Sequence, residues 1–259
     1  MTVTERERYI HPLYEEQLER LKLAIPLPEE ILSCCKEYEG KLKMPDLIGK
    51  TVRCSATQLP EVYEPVRELA EQAGIKTPSI FLYEDFYYGV EAKGIDAAHI
   101  EISAKTVTDL SPEAFRFLLA REICRIKHGM IRWTTVGNQV NTMLEQSGNF
   151  IGSDTINKTI GVAYAAWSRL AQYSADCYGY EVVRDIETCV RAILTLVLNN
   201  AELAKKIRIR EYMQQMSDVY RRNDLVSRYT ENDEKIPYAP LRIKTLLRYA
   251  SVRNFQKEG

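Results

Sequence analysis

Three charged residues at positions 121, 122 and 125 have the clearest potential for chemistry in this sequence. They are Arg121, Glu122 and Arg125, in a stretch with helical periodicity. At 3.6 residues per turn, the two arginines lie one turn apart on the same helix face, and Glu122 follows the first of them. A carboxylate in such a place could act as a general base. A guanidinium keeps its proton and offers only hydrogen-bond donors, so neither arginine can coordinate a cation.

The same spacing occurs in a zinc-binding signature that has histidines where this chain has arginines. In that signature, two histidines one turn apart hold the ion, and a glutamate next to the first acts as general base. Here Glu122 is present, and Arg121 and Arg125 stand at the histidine positions. We therefore expect the chain to carry no zinc and no other cofactor.

Further blocks of sequence extend this similarity over most of the chain. They are residues 59–63, 66–70, 74–75, 78–82, 100–103, 110–113, 119–129, 167–176 and 236–243. In these blocks, from about Cys54 to Ile243, the chain resembles the HtpX-like and CAAX prenyl protease family of zinc metallopeptidases, in the gluzincin group. The blocks follow the family's order at similar spacing. The resemblance implies a zincin-like metallopeptidase fold with a small sheet and an active-site helix.

The resemblance also assigns roles to residues outside the central helix. It places Gln172 at the position of the family's glutamate ligand, and Asp176 at that of an aspartate that hydrogen-bonds a metal-bound histidine. Ile236 stands where the family has a histidine, and Arg242 lies in the same segment, which resembles the family's His-Pro segment that ends in Arg-Ile. His128 falls on the face of Arg121 and Arg125, which the resemblance turns toward a cleft. The family's substrate-holding edge strand corresponds to residues 87–90, where this sequence differs from the family pattern.

The substitutions are consistent with charge compensation in a cleft without zinc. Glu122 and Asp176 would become close, poorly hydrated negative charges if the ion were absent. Arg121 and Arg125 restore two positive charges, and Gln172 removes one negative charge. We therefore expect an ion pair between Arg121 and Asp176, with Arg125 approaching Glu122 or the Gln172 amide oxygen. Without family information, the same arginines would be interpreted as a solvated polar helix face.

The elements that position these residues are mostly helical, which predicts an α+β class dominated by helices. We expect an N-terminal helical extension over residues 1–50, with Leu13, Leu18, Leu21 and Leu23 as a partial apolar stripe, and a metallopeptidase-like domain over residues 51–259. Alternation typical of strands is visible only near residues 80–82 and 100–102. Ser111, Pro112 and Gly129 provide the cap, first-turn and stop signals of the central helix. Its core face should carry Phe115, Leu119, Ile123 and Ile126.

Composition excludes several classes of function. Hydrophobic residues make up 45% and charged residues 27% of the 259, values typical of globular proteins. The formal net charge of −1 argues against a nucleic-acid-binding module. No apolar run is long enough for a membrane span, and the N-terminus lacks the apolar segment of a signal peptide. We therefore expect a cytoplasmic protein, unlike the membrane-embedded members of the family.

The six cysteines are spaced unlike a disulfide framework or a zinc ribbon, and we expect reduced, buried thiols. Cys124 and His128 lie one turn apart and could form half of another metal site. Cys177, the nearest third ligand, should point away from the cleft.

Three hypotheses for function follow. The first is a catalytically inactive metallopeptidase homologue, or pseudopeptidase, that serves as a protein-binding or regulatory module with a protein or peptide partner. The second is a hydrolase with a reworked or displaced site, in which Glu122 would act as a weak base. The third is an anion-binding cleft that uses the arginine pair, because forked guanidinium groups suit carboxylates and phosphates.

Overall fold

A helix that is buried around most of its circumference, α6 (Pro112–Lys127), lies at the centre of the fold. Its position is seen in a computed structural model that describes residues 7–25, 28–84, 86–146, 153–221 and 236–255. Phe115, Leu119 and Ile123 pack into a core with the sheet. Phe117 and Leu118 pack into a second core, formed mainly by helices. Polar residues of this helix are therefore enclosed together with its apolar ones.

The secondary structure confirms the helix-dominated α+β class. The helices are α1 (Tyr14–Ala24), α2 (Pro28–Tyr38), a π-helical turn (Glu39–Lys43), α3 (Met44–Lys50), α4 (Pro60–Ala73), α5 (Ala104–Asp109), α6, α7 (Met130–Gln146), α8 (Ser153–Val183), α9 (Ile186–Leu198), α10 (Ala201–Lys206), α11 (Ile209–Arg221) and α12 (Ala239–Phe255). The strands are β1 (Val52–Cys54), β2 (Ser79–Tyr83), β3 (Val90–Lys93) and β4 (His99–Ser103).

The four strands form one mixed sheet in the order β1-β2-β4-β3. β2 runs parallel to β4, and the two outer strands run antiparallel to their neighbours. The alternation near residues 80–82 and 100–102 correctly predicted the two inner strands. The edge strand β3 begins at Val90, so the sequence interpretation placed it about three residues too early. Strands of three or four residues are too short for alternation to reveal.

The local signals at the ends of α6 act as predicted. The Ser111 hydroxyl accepts a hydrogen bond from the Ala114 backbone N–H, and Pro112 begins the helix. After the C-cap residue His128, Gly129 takes a positive φ of 64°, which glycine adopts without strain. The predicted core face of the helix is also correct, since Phe115, Leu119 and Ile123 are buried in the sheet-side core.

The N-terminal helices pack on the rest of the chain. Tyr14, Leu18 and Leu21 of α1 are buried in the helical core together with residues of α6 and α8. Leu13 and Leu23 are exposed, so the predicted apolar stripe of this helix is wrong at those two positions. The division of the chain at residue 50 remains a prediction.

A glycine allows the central helix and α8 to approach closely. A Cβ atom on Gly179 would lie 2.6 Å from the Phe117 ring and 3.1 Å from Cγ of Arg121. Any larger residue would push the two helices apart at the point where Arg121 reaches toward α8. The backbone approach at Gly179 therefore sets the distance across the candidate site.

Within the described ranges, no helix is both long enough and apolar enough to cross a bilayer. The six cysteines are all free thiols, of which Cys34 is exposed and the other five are buried.

Candidate functional site

The residues singled out on α6 and α8 meet in one buried cluster. Arg121 and Arg125 are each only 5% exposed, and Asp176 is 1% exposed. The interpretation of these arginines as a solvated helix face is therefore wrong. They are enclosed because the helix that carries them is covered on one side by the sheet and on the other by α8.

Arg121 makes the ion pair that the sequence predicted. Its Nε donates to Oδ1 of Asp176 over 2.6 Å, and its Nη2 donates to Oε1 of Gln172 over 2.7 Å. Gln172 and Asp176 are one turn apart on α8, so both acceptors face the same guanidinium. Arg121 and Gln172 stand at two positions that the family resemblance assigned to metal ligands, and here they are hydrogen-bonded directly to each other.

Arg125 completes the second half of the cluster. Its Nη1 donates to Oε2 of Glu122 over 2.7 Å, and its Nη2 donates to the Thr134 hydroxyl over 3.2 Å. Of the two alternatives predicted for Arg125, the contact with Glu122 is the one formed. The Gln172 oxygen accepts from Arg121 instead.

Glu122 also binds the edge of the sheet. Its Oε2 accepts a hydrogen bond of 2.8 Å from the backbone N–H of Ala92, on the edge strand β3. The same oxygen accepts from Arg125. The carboxylate is therefore enclosed by a backbone donor and a guanidinium, rather than aimed into open solvent.

Asp176 has a second arginine partner in α12. Arg242 donates through Nε to Oδ2 and through Nη2 to Oδ1, each over 2.8 Å. This forked geometry satisfies both carboxylate oxygens. Burial alone would raise the pKa of Asp176, but Arg242 and Arg121 outweigh it and hold that pKa below the ordinary aspartate value.

The cluster contains three guanidinium groups, on Arg121, Arg125 and Arg242, and two carboxylates, on Glu122 and Asp176. If all are ionised, these five side chains carry one net positive charge. Burial lowers the pKa of Arg121, although Asp176 acts in the opposite direction. Each charged group has an opposite charge within hydrogen-bond distance, as buried ions require.

Two residues assigned to the cleft lie outside this cluster. Ile236 is 57% exposed and has no polar atom with which to join it. His128 hydrogen-bonds through Nε2 to the Tyr9 hydroxyl over 2.8 Å, away from Asp176 and Glu122. Burial, with Lys127 nearby, lowers the pKa of His128 below its ordinary value. Neither residue joins the ion-pair cluster, and their place in a cleft stays a prediction.

Sequence reasoning missed three contributors to the site. Thr134 and Ala92 contribute a hydroxyl and a backbone N–H, which carry no signal in the sequence. Gly179 did carry a signal in the sequence, because an isolated glycine within a helical pattern often marks close packing.

The donor set does not fit zinc. Two arginines and a glutamine offer no imidazole, thiolate or carboxylate at the three expected ligand positions. Among the residues that the structure describes, no group of three or more histidine, cysteine, aspartate or glutamate side chains is arranged to hold a metal ion.

No model of a known protein family matches the chain. A protein named Protease HtpX homolog from Burkholderia thailandensis is 26% identical over 159 residues, which are 53% of this chain and 56% of that protein. The protein of the same name from Persephonella marina is 27% identical over 172 residues, covering 57% and 60%. The chain thus spans about half the length of these curated relatives.

A solved structure has the same overall fold. The crystal structure of S. mikatae Ste24p matches 91% of this chain and 61% of its own, with a TM-score of 0.51 and 14% sequence identity. The sequence relatives and this structural neighbour agree with the resemblance found in the sequence blocks. Together they support a relationship of this chain to the HtpX/Ste24-like proteins.

Proposed function

We propose that this protein is a zincin-like metallopeptidase homologue without zinc-dependent hydrolysis, which serves as a protein-binding or regulatory module. The proposal depends chiefly on one observation. The two residues at the expected histidine positions, Arg121 and Arg125, are buried and paired with Asp176 and Glu122. A guanidinium at a position where the resemblance expects a histidine ligand cannot coordinate a metal ion.

The state of Glu122 supports the loss of catalysis. A general base must have an oxygen available for the proton of a water molecule. Oε2 of Glu122 accepts from both Arg125 and the Ala92 backbone. Oε1 lies 3.9 Å from Nη1 of Arg121, in a side chain that is 1% exposed and therefore closed to bulk water. Without a metal there is also no Lewis acid to lower the pKa of a water molecule to about 7. The arrangement therefore lacks the groups that the family's reaction needs.

Internal pairing also favours this function over an anion-binding cleft. A receptor for phosphate or carboxylate ligands would keep guanidinium donors free for its ligand. Here Arg121 donates to Asp176 and Gln172, while Arg125 donates to Glu122 and Thr134. A hydrolase with a displaced metal has little support, because the described residues contain no suitable ligand cluster.

The catalytic part of the proposal is tested by peptide hydrolysis with a matched variant. Wild-type protein and Glu122→Gln are incubated with an unstructured protein substrate, with and without added zinc. We expect equal, background cleavage from both, because the carboxylate has no catalytic role. Cleavage by the wild type that Glu122→Gln abolishes would overturn the proposal, and cleavage that both share would indicate a contaminating protease.

The binding part is tested by chemical crosslinking in cells that naturally contain the protein. We expect crosslinks to a specific protein partner, reproduced when the purified components are mixed. A protein that remains uncrosslinked and monomeric in native extract would contradict a role as a binding module.

A further inference from the structure

A short helical segment forms one wall of a pocket beside the arginine cluster. We call this segment, formed by the π-helical turn and α3 (residues 39–50), the strap. The pocket has a volume of about 530 Å³ and is lined on one side by strap residues that include Lys43, Met44 and Leu47. The opposite wall comes from the edge strand β3, from β4 and from α7.

The pocket adjoins the buried cluster. Ala92 and Thr134 both line it. The same two residues bind the cluster directly, since the Ala92 N–H donates to Glu122 and the Thr134 hydroxyl accepts from Arg125. A solute in the pocket therefore lies against two residues that bind Glu122 and Arg125.

The strap is held weakly compared with its flanking elements. Neither the π-helical turn nor α3 contains a buried residue. The helix before the strap is anchored by the buried Leu32 and Cys35, and the strand after it pairs with β2. Side chains buried in a core supply most of the stability of a helix in a protein, so the strap lacks the main source of that stability.

Two ion pairs of the strap connect it only to itself or to the adjoining helix. Lys50 pairs with Asp46 over 2.7 Å within the strap, and Lys41 pairs with Glu37 of the adjoining helix. These side chains are mostly exposed, and exposed pairs contribute little to stability.

The backbone of the strap is also poorly suited to a continuous α-helix. Pro45 has no N–H to donate to the preceding turn. The chain responds with a π-helical turn, in which the Met44 N–H donates to the Glu39 carbonyl. Gly40 and Gly49 further lower helix propensity, and a Cβ at either position would meet nothing within 4 Å. These glycines are therefore not required by packing.

We propose that the strap opens by local unfolding, while the flanking helix and strand stay in place, and that this opening controls access to the pocket and to the arginine cluster. Segments with few buried contacts open with free energies far below that of global unfolding. The proposed opening does not depend on whether the cluster is catalytic, because it follows from the packing of residues 39–50 alone.

Amide hydrogen exchange of the full chain tests the opening. We expect amides of residues 39–50 to exchange at least about 100-fold faster than those of α4, which buries Val62, Val66, Leu69 and Ala70. Their exchange should also depend only weakly on low concentrations of denaturant. Strap amides that exchange only with global unfolding, at the rate of α4, would overturn the proposal.

Matched variants test the cause of the opening. Gly40→Ala and Gly49→Ala should each slow strap exchange by about 3- to 5-fold, because alanine favours the helix and the space for it exists. Leu47→Ala should accelerate exchange, since Leu47 lines the pocket. The neighbouring Ile48→Ala is the control, because Ile48 is 49% exposed and should leave the exchange rate unchanged. Equal effects of Leu47→Ala and Ile48→Ala would contradict the packing argument.

Thiol labelling tests access. Thr135 lines the pocket and is 8% exposed, so Thr135→Cys in a Cys34→Ser background places a reporter behind the strap. Its reaction with a maleimide should slow in the two glycine variants and accelerate in Leu47→Ala, in parallel with hydrogen exchange. A labelling rate that is the same in all backgrounds would show that solutes reach the pocket without strap opening, and would overturn the gating role.

Discussion

Replacing Asp176 by asparagine removes the charge that two buried arginines share, while nearly preserving the shape of the side chain. In the wild type, the carboxylate accepts hydrogen bonds of 2.6 Å from Arg121 and of 2.8 Å twice from Arg242. An asparagine offers one acceptor oxygen, and its NH₂ group would face guanidinium donors. At least one of these bonds is lost, and two arginines are left without a negative charge.

The expected cost is large. A hydrogen bond to a charged group contributes about 1.5–3 kcal/mol, and breaking a buried ion pair on one side costs about 3–5 kcal/mol. We therefore expect Asp176→Asn to lower the free energy of unfolding by about 3–5 kcal/mol. With a slope of about 3 kcal/mol per M urea, the unfolding midpoint should fall by roughly 1–1.7 M. Arg121→Met should cost less, about 1–3 kcal/mol, because Asp176 would keep both bonds from Arg242.

The assay is urea unfolding followed by circular dichroism. Asp185→Asn is the matched control, because Asp185 caps α9 through its side chain and asparagine caps equally well. That control should change stability by less than about 0.5 kcal/mol. A free energy of unfolding for Asp176→Asn within about 1 kcal/mol of the wild type would refute the view that the charges of this buried cluster depend on one another.

Three further predictions concern the same cluster. The triple variant Arg121→Met, Asp176→Leu, Arg242→Met should be within about 1 kcal/mol of the wild type or more stable, because removing Asp176 together with both of its arginine partners removes their desolvation cost. Urea unfolding measures this stability, and a loss as large as that of Asp176→Asn would contradict the prediction. The pKa of Asp176 lies below the ordinary value, so the contribution of this carboxylate to stability is present above about pH 4 and is lost as the pH falls through the folded-state pKa. The difference in unfolding free energy between wild type and Asp176→Asn should therefore shrink on acidification. A constant difference down to about pH 2 would argue against this role of the carboxylate. The double variant Arg121→His, Arg125→His should show no peptidase activity in a peptide-cleavage assay, because Gln172 still replaces the third ligand. Robust activity in that variant would show that the residue at position 172 matters less than we infer.

The sequence predicted the helix and strand segments that carry strong local signals. The ends of α6 follow from Ser111, Pro112 and Gly129, and the two inner strands follow from alternating apolar residues. The Arg121–Asp176 pair was also predictable, because residues four apart on a helix share a face and the resemblance placed the two helices against each other.

Other contacts depend on tertiary packing that has no local signature. Arg242 reaches Asp176 across 66 residues, and the Ala92 backbone reaches Glu122 across 30. Their pairing depends on how α12 and the edge strand approach the central helix, and no periodicity encodes that approach. The burial of Arg125 follows from the elements that cover α6 on both sides, and periodicity alone would have placed this residue on a solvated face.

The zinc content of the purified protein tests the central claim most directly. Wild-type protein is incubated with excess zinc, dialysed and analysed for metal beside the variant Arg121→His, Arg125→His, Gln172→Glu, which restores the three ligand types of the family signature. The account predicts essentially no retained zinc in the wild type, because arginine has no lone pair to donate and its guanidinium is already paired with Asp176 or Glu122. About one zinc per chain in the wild type, lost when Glu122, Gln172 or Asp176 is replaced, would contradict it.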